Sequence, residues 1–132
     1  MADAGQALSD GVETSALDPE DAKIVTLARS ARGRTGAALG AAVRDTDGRT
    51  YAACTVDLPS LQLTALQAAV AAAVAAGAPG LEAAAVVGVD VSGDMAGRFA
   101  DPGLAAVADV TPTATVLVAG PAANVVHRVA NV

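Results

Sequence analysis

One cysteine and one histidine are the only soft metal donors in these 132 residues. Cys54 and His127, joined by Asp57, would give three donors of the thiolate, imidazole and carboxylate types that zinc accepts. Cys54 and Asp57, however, stand three apart on a predicted strand, where side chains alternate between faces, so they point apart. Cys54 then reads as a small core residue and His127 as a surface histidine. A Ser-His-Asp triad requires the same lone histidine, and no spacing brings it to a nucleophile. The stretch Gly33, Arg34, Thr35, Gly36 has the composition of a phosphate loop but follows a helix, whereas a phosphate loop follows a strand and opens a helix. Residue types alone therefore point to no catalytic centre, metal or cofactor.

Composition sets the frame that has to hold any site. The chain suits one domain with a single core. It is 53% hydrophobic with one Phe, one Tyr and no Trp, so that core is built from Ala and Val at close approach. The formal charge of −6 is uneven: Asp3, Asp10, Glu13, Asp18, Glu20 and Asp21 all precede Lys23, and the remaining acids equal the bases in number. A neutral body lacks the basic face that displaces counterions from nucleic acid, and Arg29, Arg32 and Arg34 read as a solvated patch. A lone cysteine excludes an internal disulfide, no signal-peptide pattern opens the chain, and a cytoplasmic location is expected. The most apolar stretch, Leu61 to Ala76, is shorter than the roughly 20 residues a bilayer requires and is interrupted by Gln62, Thr64 and Gln67. No membrane partner is expected.

Residues 1–17 show no apolar periodicity and read as a flexible acidic tail, leaving 18–132 as the domain. Asp18 with Pro19, Glu20 and Asp21 is a helix start; Ile24, Leu27, Ala28 and Ala31 follow at helical spacing, with Gly33 as the stop. Ala37 to Arg44 and Thr50 to Val56 read as a hairpin around Asp47 and Gly48. Ser60 caps a predicted helix from Leu61 to Ala76. Leu81 to Val91 is a strand buried on both faces, Ser92 to Phe99 a loop, Pro102 to Val107 a short helix, and Thr113 to Ala119 a strand. From Pro121 the pattern fits either a helix or one more strand. The order helix, hairpin, helix, strand, helix, strand predicts an α/β fold with helices on both faces of a mixed sheet.

The hairpin carries Gly40, Ala41, Ala42, Val43, then Asp47, Gly48, Tyr51, Cys54, Val56 and Asp57. This set resembles the small, cytidine-deaminase type of zinc nucleoside deaminase, and the Ala-rich helix ending near Gly77 extends the resemblance over about residues 19–120. The resemblance implies a three-layer α/β/α fold and self-association. It also implies a zinc-activated water, with ligands from a His or Cys at a helix start and from a later Pro-Cys-x-x-Cys segment, and a glutamate that shuttles the proton. Counted back from Gly77, the first ligand position falls on Thr64 and the glutamate on Leu66; the cysteine positions fall on Gly103 and Ala106, after Pro102. No Cys, His, Asp or Glu lies between Pro59 and Leu81, so no shift of register restores the site. The base-stacking position falls on Ala37 and the ribose-binding pair on Thr55 and Asp57, which keep hydrogen-bonding groups suited at most to weak nucleoside binding.

Three readings follow. The first is a non-catalytic, pseudoenzyme member of this family serving as a self-associating interaction module, with no protein partner named by the sequence. The second is a nucleoside sensor using Thr55 and Asp57. The third, disfavoured by the missing ligands, is a deaminase of unrecognised mechanism.

Overall fold

A computed structural model describes residues 11–92 and 99–129. Its strands are β1 (Val12–Glu13), β2 (Gly40–Asp45), β3 (Thr50–Cys54), β4 (Val56–Leu58), β5 (Leu61–Leu63), β6 (Leu81–Val87), β7 (Thr115–Ala119) and β8 (Val125–Val129); its α-helices are α1 (Pro19–Thr35), α2 (Ala65–Ala75) and α3 (Pro102–Val110). Six strands form one mixed sheet in the order β1-β8-β7-β6-β2-β3, with β6 and β7 parallel, and β4-β5 is a separate hairpin. The sheet is a middle layer. On one face Ile24, Val25 and Ala28 of α1 pack on Ala42, Ala83, Ala85, Val87 and Leu117; on the other Leu66, Ala69, Val70 and Ala73 of α2, with Val107 of α3, pack on Val43, Ala84, Val86, Val116 and Val118. From Ala83 to Val87 successive residues of β6 feed opposite cores, which explains its nearly continuous apolar run, broken only by the exposed Glu82. The expected three-layer α/β/α architecture is the one observed.

Small residues set the spacing. A Cβ on Gly40 would collide with the Ala28 carbonyl and come within 2.8 Å of the Arg32 nitrogen, so the backbone of α1 rests directly on β2. Arg44 bridges Asp21, at 3.1 Å, and Glu82, at 2.9 Å, tying the first turn of α1 to β2 and β6.

Several boundaries differ from the sequence expectation, each for a local reason. Gly33 lies inside α1; the helix ends at Gly36, whose φ of 67° supplies the left-handed cap and whose N–H donates to Arg32 O. Ser60 caps nothing: Leu61, Gln62 and Leu63 alternate as a strand against Val56–Leu58, and the cap of α2 is Thr64, paired reciprocally with Gln67. The strand expected over Leu81–Val91 stops at Val87, before Gly88 with φ 108°. The helix from Pro102 runs on to Val110, the next strand starts at Thr115, and the ambiguous end is a strand, β8. Residues 12–16, placed in the tail by the sequence, form β1 against Val125 and Val126 and a 3-10 turn; residues 1–10 and most of the loop expected over 92–99 lie outside the described residues.

The β2-β3 turn is organised by Asp45, the single buried charged residue among those described. Its Oδ1 accepts from the backbone N–H groups of Asp47 and Arg49, both at 2.9 Å, and its Oδ2 from the Tyr51 hydroxyl at 2.8 Å. Desolvation pushes this carboxyl up, but the hydrogen bonds from Tyr51, Arg49 and Asp47 outweigh it and hold its pKa below the ordinary value. The same hydrogen bond, with burial, raises the Tyr51 phenol. A carboxyl whose folded pKa is depressed stabilises the fold above its unfolded value, about 3.9, and loses that contribution as pH falls through the folded value. Asp45→Asn should therefore lower the melting temperature near neutral pH, with the gap from wild type narrowing below about pH 4; a gap independent of pH in thermal scans would contradict the role given to the charge.

Candidate functional site

The positions at which the resemblance places the deaminase chemistry lie where α2 and α3 begin side by side. Thr64 Oγ1 accepts from Gln67 N at 3.1 Å, and Gln67 Oε1 accepts from Thr64 N at 2.9 Å, closing a capping box on α2. Asp101 caps α3 through its side chain, its Oδ1 accepting from Gly103 N at 2.7 Å, with Pro102 at the first helical position. The two caps touch: Thr64 Oγ1 donates to Asp101 Oδ1 at 2.7 Å.

Below the caps the space is filled by hydrocarbon. Leu66 is completely buried. A Cβ on Gly103 would stand 2.7 Å from both Cβ and Cγ of Leu66 and 2.9 Å from Asp101 Oδ1, so glycine is required there by close approach. Ala106, half-buried one turn further along α3, packs on the same core. Zinc requires thiolate, imidazole or carboxylate donors. Leu66, Gly103 and Ala106 carry no donor, the Thr64 hydroxyl is engaged in both directions, and the nearest carboxylate, Asp101, is held by two hydrogen bonds. The residues present do not fit a zinc ion.

The remaining positions are only partly brought together. Thr55, between β3 and β4, is engaged with the chain before β2: its Oγ1 accepts from Leu39 N at 3.2 Å. Asp57 is exposed on β4 and lies 3.4 Å from Nε2 of Gln62, its partner across the hairpin. Thr55, Asp57, Gln62, Thr64, Gln67 and Pro102 line an open depression of about 490 Å³; Ala37, half-buried in the connection from α1 to β2, lies outside it. Cys54 is a half-buried free thiol at the end of β3. His127 is on β8 and is half-buried rather than a surface group, with its Nδ1 buried and unpartnered among the described residues. Three strands separate β3 from β8, which at about 4.8 Å per step places them roughly 19 Å apart, so Cys54 and His127 cannot share an ion. Among the described residues, no three His, Cys, Asp or Glu side chains group to hold a metal.

Sequence reasoning missed Asp101 and Gln67. Both had a signal: Asp101 with Pro102 repeats the Asp18 with Pro19 helix start, and Thr64 with Gln67 is a capping-box spacing. Their convergence had none. The contact of Leu66 with Gly103 makes a test of this packing. Gly103→Ala should lower stability by about 1–3 kcal/mol through overpacking, although alanine is the better helix former by about 1 kcal/mol. Leu66→Ala should cost about 2–5 kcal/mol through its cavity. In chemical denaturation the double variant should lose less than the sum, because the added methyl fills part of the space vacated.

Comparison with known proteins bears on the fold and the family. The cytidine deaminase-like family model matches residues 17–123. Among solved structures, a cytidine deaminase from Burkholderia pseudomallei superposes with a TM-score of 0.64 at 24% identity, covering 80% of this chain and 90% of that one. A cytidine deaminase from Mycobacterium leprae superposes with a TM-score of 0.61 at 20% identity, covering 84% and 94%. No curated protein matches significantly. At these identities the structural likeness carries the fold, and the family model carries the kinship. The chain belongs to the cytidine deaminase-like family.

Proposed function

We propose that this chain is a non-catalytic, pseudoenzyme member of its family that works as a self-associating interaction module. The observation that carries the reading is the outer face of α2. Ala71, Ala72, Val74, Ala75 and Ala76 are exposed there, Val74 at 54%, and Leu58 and Leu61 are exposed by the β4-β5 hairpin at 54% and 49%. No charged residue occurs from Leu58 to Leu81. In a chain of net charge −6, two copies meeting on this segment bring no like charges together, and its alanines permit close helix approach. A second copy is the occupant that this surface suits. The donor set around Thr64, Leu66, Gly103 and Ala106 supports the non-catalytic half of the proposal, and a deaminase of another mechanism finds no proton-shuttling group at those positions. No helix among the described residues is long and apolar enough to cross a membrane. We place the protein in the cytoplasm, where a free thiol such as Cys54 stays reduced, with neither nucleic acid nor membrane as partner; a further protein partner would be sought by affinity capture from the native host.

One observation favours a second reading. The exposed Asp57 carboxylate at the rim of the 490 Å³ depression can accept from a sugar hydroxyl, which suits a weak nucleoside sensor. Against it, the Thr55 hydroxyl is engaged with Leu39, and Ala37 gives a base nothing to stack on.

Light scattering and sedimentation should find dimers or larger assemblies in the wild type. Val74→Glu and Ala72→Glu, both at exposed positions, should weaken assembly by at least about tenfold while the melting temperature of the monomer is kept. A wild-type protein that stays monomeric at high concentration would sink the module reading. The sensor reading is favoured instead if cytidine or uridine raises the melting temperature and Asp57→Ala abolishes the shift.

A further inference from the structure

We propose that Thr64 and Asp101 form a hydrogen-bonded staple that joins the starts of α2 and α3, so that these two helices are held together without any metal ion at the place where the family resemblance puts zinc ligands.

The bonds run without interruption from one helix to the other. Gln67 N, in the first turn of α2, donates to Thr64 Oγ1 at 3.1 Å; Thr64 Oγ1 donates to Asp101 Oδ1 at 2.7 Å; and Gly103 N, in the first turn of α3, donates to that same oxygen at 2.7 Å. A threonine hydroxyl has one proton and two lone pairs. Thr64 uses a lone pair on its own helix and the proton on its neighbour's cap, so capping and cross-linking do not compete. Asp101 accepts through an anionic oxygen, which shortens and strengthens both bonds. That negative charge faces the positive end of the α3 dipole and stands one hydroxyl away from that of α2.

Two further features make this a built junction. The two caps are 37 residues apart in sequence, so neither helix alone would place its cap against the other. Under them the buried Leu66 side chain sits on Gly103, closing the space by packing. Each cap thereby orients the other: removing the Thr64 hydroxyl loosens the carboxylate that caps α3, and removing that carboxylate frees the hydroxyl that caps α2.

Independent caps and a staple differ in one measurable respect. In a double-mutant cycle of Thr64→Ala and Asp101→Ala, followed by urea denaturation, the double variant should unfold less readily than the product of the single effects on the unfolding constant predicts, by about fivefold or more. Thr64→Ser, which keeps the hydroxyl, should match wild type within about twofold. In native-state hydrogen exchange, the Gly103 amide should exchange faster in Thr64→Ala although Thr64 belongs to the other helix. If an alanine variant fails to fold, the cycle is run with glycine, the best tolerated N-cap without a side-chain acceptor. Single effects that multiply within about twofold, with Gly103 exchange unchanged, would overturn the staple. The metal-free half is read separately: the melting temperature should be the same after exhaustive EDTA treatment and after adding one equivalent of zinc sulfate. A fall on chelation or a rise with zinc would overturn it. These outcomes do not depend on self-association, which light scattering decides independently.

Discussion

The backbone of α1 lies against β2 at Gly40, with no room for a single added carbon between the strand and the Ala28 carbonyl. That close approach is the constraint around which the domain is built. Helices can come this near a sheet only where the facing side chains are short, and the buried sets on both faces are dominated by Ala and Val. Each such residue removes little apolar area from water, at about 25 cal/mol per Å². Stability is therefore spread thinly over many residues, and placement rests heavily on the polar groups at element ends. The Asp45 carboxylate holds the β2-β3 turn, Asp18 starts α1, and Thr64 and Asp101 start α2 and α3.

The same constraint explains how the junction of α2 and α3 is filled. A domain with a thin core tolerates a void poorly, because the destabilisation grows with the volume of the cavity. Leu66 and Gly103 answer this as a complementary pair, one large and one without a side chain, so that hydrocarbon fills the junction up to the caps. The polar groups left at the rim, Thr64 and Asp101, are satisfied by each other and by the helix starts. Kinship with the cytidine deaminase-like family and the chemistry of this junction are thus separate facts, since fold does not imply function. The outward face of α2 gives the functional proposal its basis: a helix whose inner face is fixed by the core is free to change outside, and here that side carries alanine and valine.

Much of this was legible in the sequence, and for reasons that name the exceptions. Asp18 with Pro19 fixed the first helix, the Asp47 and Gly48 turn fixed the hairpin, and the nearly continuous apolar run from Leu81 fixed a central strand, because each is a local signal with a local cause. Ser60 misled because a hydroxyl before an apolar run is a helix start only if the run is helical; Leu61 to Leu63 instead pair across Val56 to Leu58. Gly33 misled because glycine permits a helix to end and does not compel it, and Gly36 supplied the left-handed turn. The end of the chain was undecidable since Val125 to Val129 becomes a strand by pairing with β7 on one side and β1 on the other.

For the candidate site the division is sharper. Sequence alone determined which donors exist, and with one cysteine, one histidine and no acid between Pro59 and Leu81 it limited the chemistry open to the site. It also carried local signals for the two caps, Thr64 with Gln67 and Asp101 with Pro102, although Ser60 competed for the start of α2. Only the tertiary structure decided that these two meet at 2.7 Å, that Leu66 fills the space against Gly103, and that Cys54 and His127 stand on strands far apart in the sheet. Residue type is a property of the chain and can be read one position at a time; proximity across 37 positions is created by the packing of α2 and α3 on one sheet, and no local pattern encodes it.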